Sequence, residues 1–166
     1  AFIENLKGKK IIDIKDNKLH ILQYSIRINK ILKKKQLLKN LYYQKEKPNS
    51  IPYVTSYYKK RWGFCLEYNK LKKLKDKFYK VYIDSRFENK PLPYGEFYLK
   101  GKSKKEIVFC TYICHPNMGN DNLSGIILNL LLGSYLQKKK TNFSYRFLFI
   151  SETIGSLNYI KKNYYR

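Results

Sequence analysis

Hydrophobic residues in the second half of the chain fall into runs that predict alternating strands and helices. Residues 106–113 form a nearly continuous apolar run, which is typical of a strand buried on both faces of a parallel sheet. The residues that follow predict a buried helix over 123–136, a second buried strand over 147–150 and a further helix over 155–163. A strand, a loop, a helix, a strand and a helix in this order predict a parallel α/β unit.

The first half has a different pattern, which predicts a small mixed, mostly β module. Residues 9–14 and 19–24 predict a β-hairpin. The apolar spacing over 28–41 predicts a short amphipathic helix, and 78–83 and 97–99 predict further strands. The aromatic density of this half and its proline-rich breaks predict that Trp62 and Phe64 are largely buried.

The change of pattern after Gly101 divides the chain into two predicted domains, residues 1–101 and residues 102–166. The chain has 166 residues, which is enough for one ordinary domain or two small ones. It begins with Ala1 rather than Met and stops just after a helix-like stretch, so we expect it to be a piece of a longer protein.

The charge balance is strongly basic, with 35 Lys and Arg against 12 Asp and Glu and a formal net charge of +23. This excess suggests a nucleic-acid-binding module, in which Tyr57, Tyr58 and Trp62 could stack on bases. The chain is also rich in Lys, Asn, Ile, Tyr and Phe, whose codons are rich in A and T, and its lysines are spread along the whole sequence. We therefore attribute the charge to composition and predict no nucleic-acid partner.

Two further features concern the cellular location of the protein. The longest apolar stretch, residues 126–132, is interrupted by Asn129 and is far shorter than the roughly 18 residues that span a bilayer. The three cysteines lack zinc-finger spacing, which predicts reduced thiols. Together these features predict a cytoplasmic protein without a membrane segment.

Polar residues follow both predicted strands of the second half, where an α/β sheet places its ligands. His115 comes just after the first strand, Asp121 lies in the loop before the helix, and Glu152 comes just after the second strand. One histidine and two acids suit a divalent metal such as zinc. Each residue also has a simpler explanation: His115 as a loop residue, Asp121 as a helix cap, and Glu152 as a carboxylate at a helix start.

Three short sequences of this half, Cys-His-Pro at 114–116, Asn-Asp-Asn-Leu-Ser-Gly at 120–125 and Glu-Thr-Ile-Gly-Ser at 152–156, resemble those of M28-type zinc aminopeptidase-like proteins. Within that group the resemblance is to bacterial proteins of the DUF4910 and DUF2172 families. Residues 51–58 and 62–65 resemble the small domain inserted in the aminopeptidase core. The resemblance implies an α/β fold in which a small inserted β-rich domain precedes the start of a parallel-sheet zinc-peptidase-like core.

The resemblance also implies roles for individual residues. His115 matches a metal-binding histidine, Asp121 the aspartate that bridges two zinc ions, and Glu152 the catalytic glutamate that takes a proton from the metal-bound water. Two positions depart from the pattern: Thr153 stands where a second acidic ligand follows the glutamate, and Asn117 stands where an acid orients the histidine. The remaining ligands, an acid and a histidine, are expected beyond residue 166, so we expect one or two zinc ions only in a full-length protein.

The sequence therefore predicts part of a metal-dependent hydrolase that acts on a peptide or another amide bond. The resemblance also implies a link to surface polysaccharide synthesis, so the amide could be on a sugar. The alternative is a non-catalytic relative that keeps the fold and binds a ligand or partner, and Thr153 and Asn117 favour this alternative.

Overall fold

The computed structural model describes residues 1–115 and 117–164, which form two units, Ala1–Glu88 and a second unit that begins at Asn89. The strands of the first unit are β1 (Phe2–Asn5), β2 (Lys10–Asp13), β3 (Ile28–Lys33), β4 (Leu41–Tyr42), β5 (Phe64–Cys65) and β6 (Phe78–Ile83). Its short helices are α1 (Lys34–Leu38) and α2 (Tyr68–Leu71). The second unit contains β7 (Gly95–Leu99), β8 (Glu106–Tyr112), α3 (Ser124–Leu136), β9 (Ser144–Ile150) and α4 (Ile154–Asn163).

The first unit is built on an antiparallel sheet in the order β2-β1-β6-β3, with β4 and β5 as a separate parallel pair. In β6 every second residue is buried, so Tyr79, Val81 and Ile83 face the core while the residues between them are half-buried. Phe64 is fully buried and Trp62 is partly buried against the same core. The prediction that these two aromatic residues pack inside is therefore confirmed for Phe64 and holds in part for Trp62.

Two predicted elements of the first unit are wrong. Residues 28–33 form strand β3 rather than a helix, because they pair antiparallel with all six residues of β6, and only 34–38 are helical. The predicted hairpin partner of β2 is also different: β2 pairs with β1, and Lys18–His20 form a 3-10 turn. In β3, pairing with a strand distant in sequence overrides the local hydrophobic pattern, whereas β2 pairs with β1, the strand just before it in the chain.

The second unit is a three-stranded sheet in the order β7-β9-β8, with α3 connecting β8 to β9 and α4 following β9. β8 and β9 are parallel, as predicted, whereas β7 pairs antiparallel with the other edge of β9. The prediction of an α/β protein is confirmed at the level of a mixed α/β chain with several sheets. Because β7 belongs to this sheet, the units divide after Glu88 rather than after residue 101.

The burial of the second unit also differs from the prediction. β8 lies at an edge of the sheet, and Val108 is 52% exposed. Helix α3, predicted to be buried, exposes most of its leucines, and its buried residues are Asn129 and Gly133. Gly133 lies under the ring of Phe97, where a β-carbon would be 3.0 Å from the ring. Within the described residues, helix α3 is therefore covered on one side and exposed on the other.

Candidate functional site

The loops after β8 and β9 leave the sheet side by side. Beyond the last paired residues, the backbone N–H of Ile113 donates to the carbonyl of Ile150 at 3.1 Å, which extends the ladder by one more hydrogen bond. Cys114 and His115 follow one strand directly, and Glu152 follows the other. Because the two strands are parallel and in register, the three side chains start from the same edge of the sheet.

His115 is held by the turn that follows it. Its side chain is buried, and its backbone N–H donates to Oδ1 of the buried Asn122 at 3.2 Å. Its carbonyl accepts from the backbone N–H of Met118 at 3.2 Å. Asn122 lies in a π-helical turn, Gly119–Leu123, that leads into α3. The backbone of His115, which carries the imidazole, is thus held by hydrogen bonds within its own loop.

The imidazole ring of His115 lies between a thiol and a carboxylate. Its Nδ1 is 3.0 Å from Sγ of Cys114, and its Nε2 is 3.2 Å from Oε2 of Glu152. The backbone N–H of Glu152 donates to Sγ of Cys114 at 3.2 Å. One ligand atom from each of the three residues lies within 4.8 Å of the other two, a spacing that could hold one metal ion.

Asp121 is not part of this cluster. It is exposed in the turn Gly119–Leu123 and lines a shallow cavity of about 420 Å³ together with Cys110, Tyr112 and Ser156. Partial burial raises the pKa of the Cys110 thiol, and a hydrogen bond with Ser156 opposes this effect. The structure therefore brings His115 and Glu152 together, and it places Asp121 in the adjacent turn.

The two residues that depart from the aminopeptidase pattern both have a left-handed backbone. Asn117 has a φ of 63°, a conformation that asparagine adopts more readily than most residues. Thr153 has a φ of 52° and a ψ of −66° at the start of α4. For a β-branched residue this is an uncommon, strained conformation, of the kind that collects at functional sites. Pro116, part of the Cys-His-Pro sequence, lies outside the described residues.

Comparison with known proteins shows the family to which the chain belongs. A family model described as "Domain of unknown function (DUF2172)" matches residues 1–86. The chain belongs to the DUF2172 family.

This DUF2172 chain is also similar to a longer protein of Clostridium acetobutylicum named "Putative polysaccharide biosynthesis protein with aminopeptidase-like domain". The two are 46% identical over 163 residues, which is 98% of this chain and 38% of that protein. The crystal structure of a "putative peptidase" from the same species matches with a TM-score of 0.95 and 46% identity, over 99% of this chain and 39% of that one. The DUF2172 chain thus spans well under half the length of these relatives.

These findings confirm the predicted resemblance at a coarse level, to DUF2172 and to proteins named aminopeptidase-like or peptidase. Within the described ranges, the DUF2172 chain has no helix long and apolar enough to cross a membrane.

Sequence reasoning missed Cys114, which was grouped with the other thiols. Successive side chains of a strand point to opposite faces, so a residue directly before His115 is not expected to share its site. The chain leaves the regular strand after Tyr112, and this loss of alternation lets the two side chains meet. The available signal was the position of Cys114 at the end of an apolar strand, next to a candidate ligand.

Proposed function

We propose that the chain provides the front part of the active site of a zinc-dependent hydrolase of the M28 aminopeptidase type, in a protein related to DUF4910. The observation that carries the proposal is the meeting of His115 and Glu152, 3.2 Å apart, at the carboxyl ends of two parallel strands. In this proposal β8, α3, β9 and α4 begin a parallel-sheet peptidase core, and the first unit is a small domain inserted in it. The protein would act in the cytoplasm.

The residues present are chemically suited to zinc. Zinc is commonly bound by imidazole nitrogen and by carboxylate oxygen, and catalytic sites keep one coordination position open for substrate or water. We propose His115 and Asp121 as ligands, with one or two ions in the full-length protein. Asp121 lies in the turn Gly119–Leu123 between His115 and α3, and its exposed side chain would have to move to share an ion with His115.

The chemistry divides between the ion and the side chains of the chain. When bound, zinc supplies Lewis acidity that polarises the scissile carbonyl and makes water easier to deprotonate. In this proposal Glu152, whose side chain is 45% exposed, accepts a proton from water and returns it to the leaving amine. The strained Thr153 follows Glu152 directly, at the start of α4.

The proposed substrate is a peptide or another small molecule with an amide bond. The name of the Clostridium relative includes polysaccharide biosynthesis, which favours an amide on a sugar as one form of this substrate. An amide-bearing sugar and a peptide share the carbonyl and the leaving amine on which the proposed chemistry acts.

The test compares zinc content with amide hydrolysis. We expect zinc to stay with the full-length protein after dialysis, to be lost in His115→Ala, and to be retained in His20→Gln, which changes the buried histidine of the first unit. Glu152→Gln should keep zinc but lose hydrolysis of an aminoacyl anilide, and Thr153→Glu should strengthen zinc binding by adding a charged donor.

A second candidate function, a non-catalytic binding protein, is favoured by Thr153, which replaces a charged ligand by a neutral hydroxyl. Zinc that stays bound without any hydrolysis of peptides or acylated amino sugars would support this candidate. A protein that holds no zinc, and is equally stable with and without His115, would contradict the metallohydrolase.

A further inference from the structure

Cys114 is the one of the three cysteines that meets all three conditions for a metal ligand. Its Sγ is 3.0 Å from His115, it lies within 4.8 Å of a carboxylate oxygen of Glu152, and it is partly exposed, so an ion can reach it. Cys65 is fully buried, and burial raises the pKa of its thiol to about 12. Cys110 lies on β8 in the neighbouring cavity and is not in the cluster.

The backbone N–H of Glu152 donates a hydrogen bond to Sγ of Cys114 at 3.2 Å and so ties this sulfur to the loop after β9. Hydrogen bonds to sulfur of this kind are a common feature behind metal-bound sulfur. The donor comes from the loop after β9 while the thiol comes from the loop after β8, so the register of the two strands fixes the contact.

We propose that Cys114 binds, as a thiolate, the same zinc ion as His115, and so supplies the negatively charged donor that Thr153 cannot. This inference rests on the proposed metal site and changes its composition: the ion is held by sulfur, nitrogen and oxygen rather than by nitrogen and oxygen alone. When the ion binds, the sulfur–zinc bond replaces the sulfur–hydrogen bond, and the thiol proton passes to water.

The geometry requires only a small adjustment. Two ligands of one tetrahedral zinc, with Zn–S about 2.3 Å and Zn–N about 2.1 Å, lie about 3.6 Å apart. Sγ of Cys114 and Nδ1 of His115 are 3.0 Å apart, so they must separate by about half an ångström to admit the ion. A carboxylate oxygen of Glu152 lies within 4.8 Å of both Sγ of Cys114 and a ring nitrogen of His115.

A thiolate ligand also determines which ions the site prefers. Soft sulfur favours zinc and other late transition metals over magnesium and calcium, which take oxygen ligands. The ligand set therefore predicts that the site in the full-length protein takes up zinc or cobalt, and that excess magnesium does not compete.

The experiment uses Co²⁺ as a spectroscopic probe of the full-length protein. Co²⁺ bound by a thiolate has a sulfur-to-metal charge-transfer band in the near ultraviolet, which Co²⁺ bound only by nitrogen and oxygen lacks. We expect this band in the wild-type protein and in Cys110→Ser, and we expect it to be absent in Cys114→Ser. Zinc affinity measured by competition should fall in Cys114→Ser by more than the roughly 10- to 100-fold that loss of a partner behind a ligand costs.

Alkylation gives a second readout that does not depend on activity. Zinc should slow the reaction of iodoacetamide with Cys114 and leave the reaction at Cys110 unchanged, as followed by mass spectrometry of the modified peptides. If His115→Ala abolishes Co²⁺ binding while Cys114→Ser binds Co²⁺ with unchanged affinity and spectrum, the thiolate ligand is refuted and the proposed hydrolase keeps its histidine-bound ion. If the wild-type protein binds neither Co²⁺ nor zinc, both proposals fail.

Discussion

At the scale of single residues, Arg146 joins all three strands of the second unit. It lies on β9, and its guanidinium donates two hydrogen bonds to Glu106 on β8, at 2.7 and 2.9 Å. It also donates to Glu96 on β7 and lies 4.8 Å from the ring centre of Tyr98. The hydrogen bond from Arg146 lowers the pKa of Glu106, and the same bond raises the pKa of Arg146. A planar, two-pronged arginine suits a carboxylate in a way that lysine does not.

We predict that Glu106→Gln lowers the stability of the second unit at pH 7, and that this effect becomes smaller as the pH is lowered to 3. Because the pKa of Glu106 is lowered in the folded state, its contribution is present above the unfolded value of about 4.3 and is lost as the pH falls through the folded value. The pair is partly exposed, so we expect a loss of about 1 kcal/mol or less in urea unfolding at pH 7.

The matched control is Asp84→Asn, which removes the same charge from an exposed pair with Arg27, 3.4 Å apart. It should change stability by less than about 0.5 kcal/mol. An effect of Glu106→Gln that is equally large at pH 3 would show that the carboxylate's charge is not the cause.

The same scale shows how far the sequence could predict the site. His115 and Glu152 were predictable because residues just past two parallel strands share one edge of a sheet. The contact of Cys114 was not, since it depends on the backbone path after the strand ends. The left-handed backbone of Thr153 was also hidden, because no local rule places a β-branched residue there.

At the scale of secondary structure, long apolar runs were more informative than short periodic ones. The predicted bounds agree within a few residues for β8, α3, β9 and α4. Each of these elements is a single uninterrupted strand or helix. The short periodic pattern of residues 28–33, in contrast, led to a wrong prediction. Ile28, Ile31 and Leu32 have helical spacing, yet this segment pairs along its full length with β6. Six residues are too few for periodicity to separate a strand from a helix.

Helix α3 has apolar residues on all sides. Ile127 and Leu130 are each more than half exposed, and Leu128 and Leu131 are each 65% exposed. A helix that is apolar all round is typical of the interior of a larger structure. Exposed apolar surface of this extent favours association.

We predict that Leu128→Glu with Leu131→Glu reduces self-association of the chain without lowering its stability. Both side chains are exposed, so the double change should alter the free energy of unfolding by less than about 1 kcal/mol. Sedimentation velocity and binding of a hydrophobic dye measure the association, and urea unfolding measures the stability. Leu148→Glu, at a buried position of β9, is the control that should unfold the second unit. A large loss of stability in the double variant would mean that this face of α3 is covered in solution.

At the scale of the whole molecule, the buried apolar residues are divided unequally. The main core cluster lies entirely in the first unit; its fully buried members are Ile3, Ile12, Leu37, Phe64, Leu66, Tyr79, Val81 and Ile83. In the described part of the second unit, the buried apolar side chains are Phe147, Leu148 and Ile150, all on the central strand β9. Burial of apolar area is the main favourable term in folding, so the two units are not equally able to fold alone.

The net charge of +23 acts on both units, because lysines are spread along the whole sequence. Such a charge opposes compact folding through self-repulsion, and salt screens that repulsion. The unit with fewer buried apolar contacts is expected to need this screening more.

We therefore predict that residues 1–88 fold as an independent unit and that the second unit unfolds first. In urea, hydrogen exchange followed by mass spectrometry should show early loss of protection in β7, β8 and β9, while the amides of β1 and β6 stay protected. Separately expressed residues 1–88 should give a single sigmoidal urea transition, with the fluorescence of Trp62 as its signal, because its partners in the core cluster are all present. Raising the salt concentration should shift the first transition of the full chain to higher urea concentration by more than it shifts the second. Loss of protection in both units at the same urea concentration, or a broad, non-cooperative transition for residues 1–88, would contradict independent folding.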